Sequence, residues 1–303
     1  MAYDAARFEP VEPVEAQVDG ISMTGLVARV AQPRAIVLAV HGGASRAGYF
    51  HGSSHPDQSL LRLAAQLGFT AVALDQPGYA GSAGLVDGWS LDERADLVAR
   101  ALAELAGDTG AGVVVVAHSQ GSQVATHLSA RSADVIGLEL SGTGLERYDR
   151  SVPVVDVAER ASRGRRRIFE TIWGDPALYP DGALDREHTR PTATPPSARE
   201  DAQTWPSCFP EIAARITVPV RITVAEHERF WQSSPQSQAR IAALFTAAPR
   251  VQTAVQLGAP HNISLSSAAR AYHLHVLAFA EECVLWARRS GRSDDAVRAH
   301  ARI

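Results

Sequence analysis

Residues 35–40 and 113–117 are apolar at every position, and residues 69–74, 135–140 and 218–225 are nearly so. Runs of this length without polar alternation read as strands buried on both faces, the pattern of a parallel sheet covered above and below. Between them lie segments with helical spacing. Residues 57–67 place Leu60, Leu61, Ala64 and Leu67 on one side and stop at Gly68. Residues 90–105 open on Ser90 with Glu93 three positions later, which is a capping box. Near the start, residues 14–18 and 21–30 flank Asp19-Gly20, a hairpin signal that predicts an antiparallel edge. Near the end come a helix over 237–245, a strand over 251–255 and a closing helix over 268–288. Alternating strands and helices predict an α/β fold, a mostly parallel central sheet with helices on both faces. The alternation stops over residues 144–215. There the sequence predicts short helices near 154–161 and 165–173, followed by a long proline-rich loop.

One switch from strand to helix carries chemistry. Four valines, Val113 to Val116, run into Ala117-His118-Ser119-Gln120-Gly121, and helical spacing then resumes through Val124, Ala125 and Leu128. A serine in so tight a turn needs small residues two before and two after it, and these are Ala117 and Gly121. Such a turn lifts the hydroxyl above the sheet as a nucleophile elbow. The helix that starts beneath it offers free N–H groups and a dipole to developing negative charge. Taken alone, Ser119 is equally an N-cap serine after a buried strand, so other residues must decide.

Four further loops supply them. The strand over 35–40 ends in His41-Gly42-Gly43-Ala44, where glycines let backbone amides approach a reacting oxygen. The strand over 69–74 ends in Asp75-Gln-Pro-Gly-Tyr-Ala-Gly-Ser82. Late in the chain come Ala225-Glu226-His227-Glu228 and Leu257-Gly-Ala-Pro-His261. Together these resemble the α/β-hydrolase family over most of the chain. Two departures stand out, since Ala117 replaces the first glycine of the elbow and Ala80 replaces the second glycine of the loop after residue 74.

The resemblance implies roles. Ser119 becomes the nucleophile and His261, on the loop after the last strand, the general base. The family's Gly-x-x-Asp pattern puts Glu228 in the place of the acid, with Glu226 as the rival two residues earlier. The oxyanion hole takes the amides of Gln120 and Gly43, with Gly42 or Ala44 one residue away in register. The order Ser119, Glu228, His261 is nucleophile, acid, base. Residues 144–215 fall where the family carries a helical or irregular cap, so that 1–143 and 216–303 form the core domain. His41 reads as structural, and His273 and His275 as helix-face residues.

Composition narrows the alternatives. The chain has 303 residues with 46% hydrophobic and 20% charged, enough for one large folded domain with an insertion. A net charge of −4 gives no reason to expect nucleic acid. The two cysteines, Cys208 and Cys283, suggest neither a disulfide framework nor a zinc site. The first residues carry no apolar signal core, and no run of eighteen apolar residues occurs. These features predict a cytoplasmic protein with no membrane association, and the triad chemistry that the resemblance implies needs no metal and no organic cofactor. They carry no signal of oligomeric state.

The expected activity is hydrolysis of a carboxylic ester or thioester of a small-molecule acyl substrate, through a Ser-His-Glu triad and an acyl-enzyme. An acyltransferase, a cyclase or an eliminating enzyme would use the same groups, and a non-catalytic binding protein would use the same pocket. Trp173, Trp205, Phe230 and Trp231 are candidate apolar walls of that pocket, each also readable as ordinary core. The cluster Arg163-Gly-Arg-Arg-Arg167 reads first as a solvated helix face and second as an anion site.

Overall fold

The computed structural model describes residues 10–52, 55–83, 88–107, 109–148, 170–185 and 191–292. Eight strands form one sheet: β1 (Glu12–Val18), β2 (Ile21–Ala28), β3 (Ile36–Val40), β4 (Thr70–Leu74), β5 (Val113–His118), β6 (Val135–Ser141), β7 (Val220–His227) and β8 (Val251–Pro260). Their order across the sheet is β1-β2-β4-β3-β5-β6-β7-β8. The hairpin β1–β2 is antiparallel and joins β4 antiparallel, whereas every pair from β4 to β8 is parallel. The helices are α1 (Leu60–Gln66), α2 (Leu91–Ala106), α3 (Gly121–Arg131), α4 (Pro196–Ala213), α5 (Pro235–Ala242) and α6 (Ala269–Arg289).

Two apolar layers explain why the central strands lack polar alternation. Leu38, Val115 and Leu138 face a core shared with α2, α3, α4 and α5, represented by Leu97, Val124, Phe209 and Ile241. Val37, Val114 and Val116 face the opposite core, shared with α1 and α6 through Leu61, Val276 and Phe279. The capping box at Ser90 and Glu93 forms in both directions and starts α2. Both edges of the parallel set carry loops at the strand C-termini, and β5 in the middle delivers Ser119 to that end.

Three expectations need correction. The proline-rich stretch after residue 195 is not a loop, for α4 spans 18 residues with Pro206 and Pro210 inside it. Proline disfavours a helix interior by removing a backbone donor. Here Trp205, Phe209 and Ile212 occupy one face and are buried, with Trp205 stacked on Phe209 at 4.4 Å, so tertiary burial outweighs local propensity. The last strand is also longer than 251–255 and runs to Pro260. Third, α5 ends at Ala242, short of residue 245. The expected helix at 154–161 and the Arg163–Arg167 cluster lie outside the described residues, as does most of the helix expected at 165–173. Among the described residues, no helix is long and apolar enough to cross a membrane.

A carboxyl sits inside the sheet. Glu139 on β6 is fully buried and accepts a 2.7 Å hydrogen bond from the Tyr272 hydroxyl of α6. Burial pushes Glu139 up to about 7 from 4.5, against the Tyr272 hydrogen bond and the charge of Arg221 on β7. Below pH 4.5 both folded and unfolded states hold this proton. Between 4.5 and 7 only the folded state keeps it, so stability falls as pH rises through that window and levels off above it. The full loss is on the order of 3 kcal/mol. Glu139→Gln should therefore unfold at a higher temperature than the parent at pH 8, and the gap should close near pH 4.5. Melts at both pH values check this, and a gap of equal size at the two would refute the buried titration.

Candidate active site

The turn after β5 is built by contacts that only small residues allow. Ser119 adopts φ +51°, a left-handed conformation that costs an L residue about 1 kcal/mol or more. Its amide donates to the Ser141 carbonyl at 2.8 Å, and its carbonyl accepts from the Ser122 amide at 3.0 Å. A Cβ on Gly121 would press into the carbonyl oxygens of Val40 and His41, so glycine is obligatory there. Ala117 lies fully buried in β5 between Val40 of β3 and Leu140 of β6. Its methyl fits, which is why the elbow survives without its first glycine. The other departure is strained, since Ala80 sits at φ +47°, where glycine would be relaxed.

Ser119, His261 and Glu228 lie in one hydrogen-bonded line. The Ser119 Oγ is 3.1 Å from His261 Nε2. His261 Nδ1 is 2.8 Å from Glu228 Oε2 and 3.0 Å from Oε1. Both the imidazole and the carboxylate side chains are 1% exposed, so water does not compete for this pair. Glu228 Oε1 also accepts from the amides of Phe230 at 2.8 Å and Trp231 at 3.3 Å. Burial pushes the Glu228 carboxyl up, but the charge and hydrogen bond of His261 and the two amides together hold it below its ordinary range. Glu226 is elsewhere. Its side chain is 45% exposed and accepts from the Gly258 amide at 2.7 Å, tying β7 to β8.

The loop after β3 faces this line. A Cβ on Gly42 would stand 3.0 Å from Ser119 Cβ, and one on Gly43 would collide with the Gln120 side chain. Neither the Gly43 nor the Gln120 amide donates a hydrogen bond among the described residues, and both residues line the cavity above Ser119. His41 braces the loop from below. Its Nδ1 is 2.7 Å from the Gly42 carbonyl, and its Nε2 accepts from the Gln76 amide at 3.0 Å. Burial lowers His41 to about 4, so it stays neutral and structural. Asp75 pins the same region by accepting from the Ala47 amide at 2.7 Å.

Helix α4 forms part of the roof and is tied down at three points. The Gln120 side-chain amide donates to the Ala198 carbonyl. Asp201 pairs with Arg94 of α2, whose side chain is 4% exposed. Trp205 Nε1 donates to Thr143 Oγ1 at 3.1 Å, just past β6.

The cavity has a volume of about 120 Å³. Trp205, Phe230 and Trp231 line it, whereas Trp173 does not. The Trp173 ring packs on Tyr179 at 5.8 Å instead, and its carbonyl accepts from the Tyr179 hydroxyl, a contact within its own segment. Several lining residues escape sequence reasoning: Tyr49, His118, Gln123, Thr143 and Asn262. Asn262 and His118 adjoin His261 and Ser119 in sequence, and Gln123 lies one helical turn beyond Ser119, so proximity alone was a usable signal. His118 is neutral, since burial and its two neighbouring histidines lower it well below its ordinary value. His273 and His127 stand outside the cavity, held by Ser264 and Asp92. Among the described residues there is no group of three or more His, Cys, Asp or Glu able to hold a metal ion.

Comparison with known proteins agrees with this architecture. The sequence model of the Alpha/beta hydrolase family matches residues 36–273. No curated protein matches the sequence. The N-acyl homoserine lactonase AidH superposes with a TM-score of 0.67 at 16% identity, covering 90% of this chain and 98% of that one. An esterase of M. tuberculosis gives 0.58 at 19% identity, covering 89% and 92%. The thioesterase domain of the curacin biosynthetic pathway gives 0.57 at 18% identity, covering 88% and 99%. At these identities the likeness concerns the fold.

Proposed function

Since this chain belongs to the alpha/beta hydrolase family, we propose that it is a serine hydrolase that cleaves a carboxylic ester or thioester through Ser119, His261 and Glu228. The observation that carries this reading is the continuous line from Ser119 Oγ to His261 Nε2 and from Nδ1 to the Glu228 carboxylate. A neutral serine is a weak nucleophile. As Oγ attacks the carbonyl carbon, its proton passes to Nε2. Glu228 keeps the other imidazole proton on Nδ1 and stabilises the imidazolium that results. The carbonyl oxygen gains charge and is received by the amides of Gln120 and Gly43, each such donor contributing about 3 kcal/mol. His261 then protonates the departing alkoxide or thiolate. Water opens the acyl-enzyme by the same steps with the roles reversed. Residues 144–215 serve as the cap, and 1–143 with 216–303 as the catalytic core. No cofactor takes part in this scheme.

The test is labelling by a fluorophosphonate together with turnover of short aryl esters and acyl thioesters. Labelling of one serine, with release of free acid, supports the proposal. Labelling with acyl transfer to an added alcohol or amine, and no free acid, replaces hydrolase by transferase. No labelling and no turnover leaves a binding protein.

A further inference from the structure

Two polar side chains on the cavity wall are buried and unused. Gln123 is on the first turn of α3, four residues after Ser119 and so about 6 Å further along the helix axis. It is 4% exposed, lines the cavity, and its side-chain amide makes no hydrogen bond among the described residues. Trp231 is 7% exposed and lines the same cavity, and its Nε1 is buried without an acceptor. The neighbouring Trp205 shows that this wall can satisfy an indole N–H, since Thr143 accepts from it at 3.1 Å. Leaving a buried donor unpaired is costly, and native interiors rarely do it without a reason. Trp231 is also held in place. Its amide donates to Glu228, and its ring packs so closely on Gly144 that a Cβ there would stand 2.9 Å from it.

We propose that Gln123 and Trp231 form a polar subsite that recognises a neutral oxygen on the acyl part of the substrate, a keto, hydroxy or amide oxygen a few bonds from the scissile carbonyl. This deepens the serine hydrolase reading and rests on it. An indole N–H only donates, so the ligand atom must be an acceptor, and the Gln123 amide adds a second donor. Both donors are uncharged, so a neutral oxygen suits them without the desolvation cost an anion carries. Such a site separates an oxygen-bearing acyl group from a plain hydrocarbon one more sharply than an apolar wall separates chain lengths. The hydrocarbon leaves both polar groups unpaired in the complex.

The test compares phenyl 4-oxopentanoate with phenyl 4-methylpentanoate, esters of equal length and branching. The parent protein should favour the oxo ester at least about tenfold in kcat/KM. Gln123→Leu and Trp231→Phe should each cut that ratio by about tenfold. A ratio near one in the parent protein, or a ratio unchanged in both variants, overturns the subsite. Binding of the two esters to Ser119→Ala, measured by calorimetry, reads the subsite independently of turnover. Tighter binding of the oxo ester supports it even if the parent hydrolyses neither ester, a result that would count against the hydrolase reading alone. Equal affinities overturn it.

Discussion

Ser119→Ala is expected to fold as the parent does, to take up no fluorophosphonate, and to lose about 10⁶-fold in kcat on any ester the parent cleaves. The size follows from the serine being the atom that forms the bond, so that without it only the oxyanion amides and substrate positioning remain. Folding should survive because alanine tolerates φ +51° about as well as serine does, and no hydrogen bond of the framework uses the Oγ. The strain at this position adds a second readout. Ser119→Gly should be equally inactive yet more stable by about 1 kcal/mol, because glycine adopts the left-handed conformation without penalty. Intact-mass analysis after labelling, with melts of both variants, checks the set. Undiminished labelling of the alanine variant would remove Ser119 from the mechanism.

The second large effect is expected at Glu228. Glutamine keeps the shape and can still accept from the Phe230 and Trp231 amides. With Oε1 so engaged, its NH₂ faces His261 Nδ1 and drives the imidazole proton to Nε2. In that tautomer Nε2 cannot take the Ser119 proton, and the corresponding change in serine proteases costs about 10⁴ in kcat. Glu226→Gln should lie within a few-fold of the parent, since the exposed side chain accepts from Gly258, which glutamine still can, and its other neighbour is the exposed His227 at 3.8 Å. Turnover of one aryl ester at saturating concentration decides between the two. Loss at Glu226→Gln with Glu228→Gln intact would place the acid on the other residue.

The central sheet was legible because burial on both faces writes itself into a strand as an unbroken apolar run, as in Val113 to Val116. The elbow was legible because its geometry admits few residues, and the places given to Glu228 and His261 were what the resemblance to the family implied. The choice between Glu228 and Glu226 required space. Both sit at the end of β7 in similar local sequence, and only the turn after Ala225 brings one carboxylate to His261. Helix α4 was illegible for a different reason. Pro206 and Pro210 erase the local helical signal, and the burial of Trp205 and Phe209 that restores it is a property of the assembled fold. Trp173 misled for the same reason, because a large aromatic reads alike whether it walls a cavity or fills its own segment. Gln123 left only its spacing from Ser119 as a trace, since one polar residue on a helix usually faces water.

The three tethers of α4 bear on gating. Ala198, Asp201 and Trp205 hold the helix to Gln120 beside Ser119, to α2 and to the end of β6. The first tether ends on the side chain of Gln120, whose backbone amide is the proposed oxyanion donor. If the helix swings outward to admit a ligand, it must release Gln120 or drag it along. Either way a movement of α4 would be felt at the residue next to Ser119, so the cavity roof and the turn beneath it are mechanically one unit.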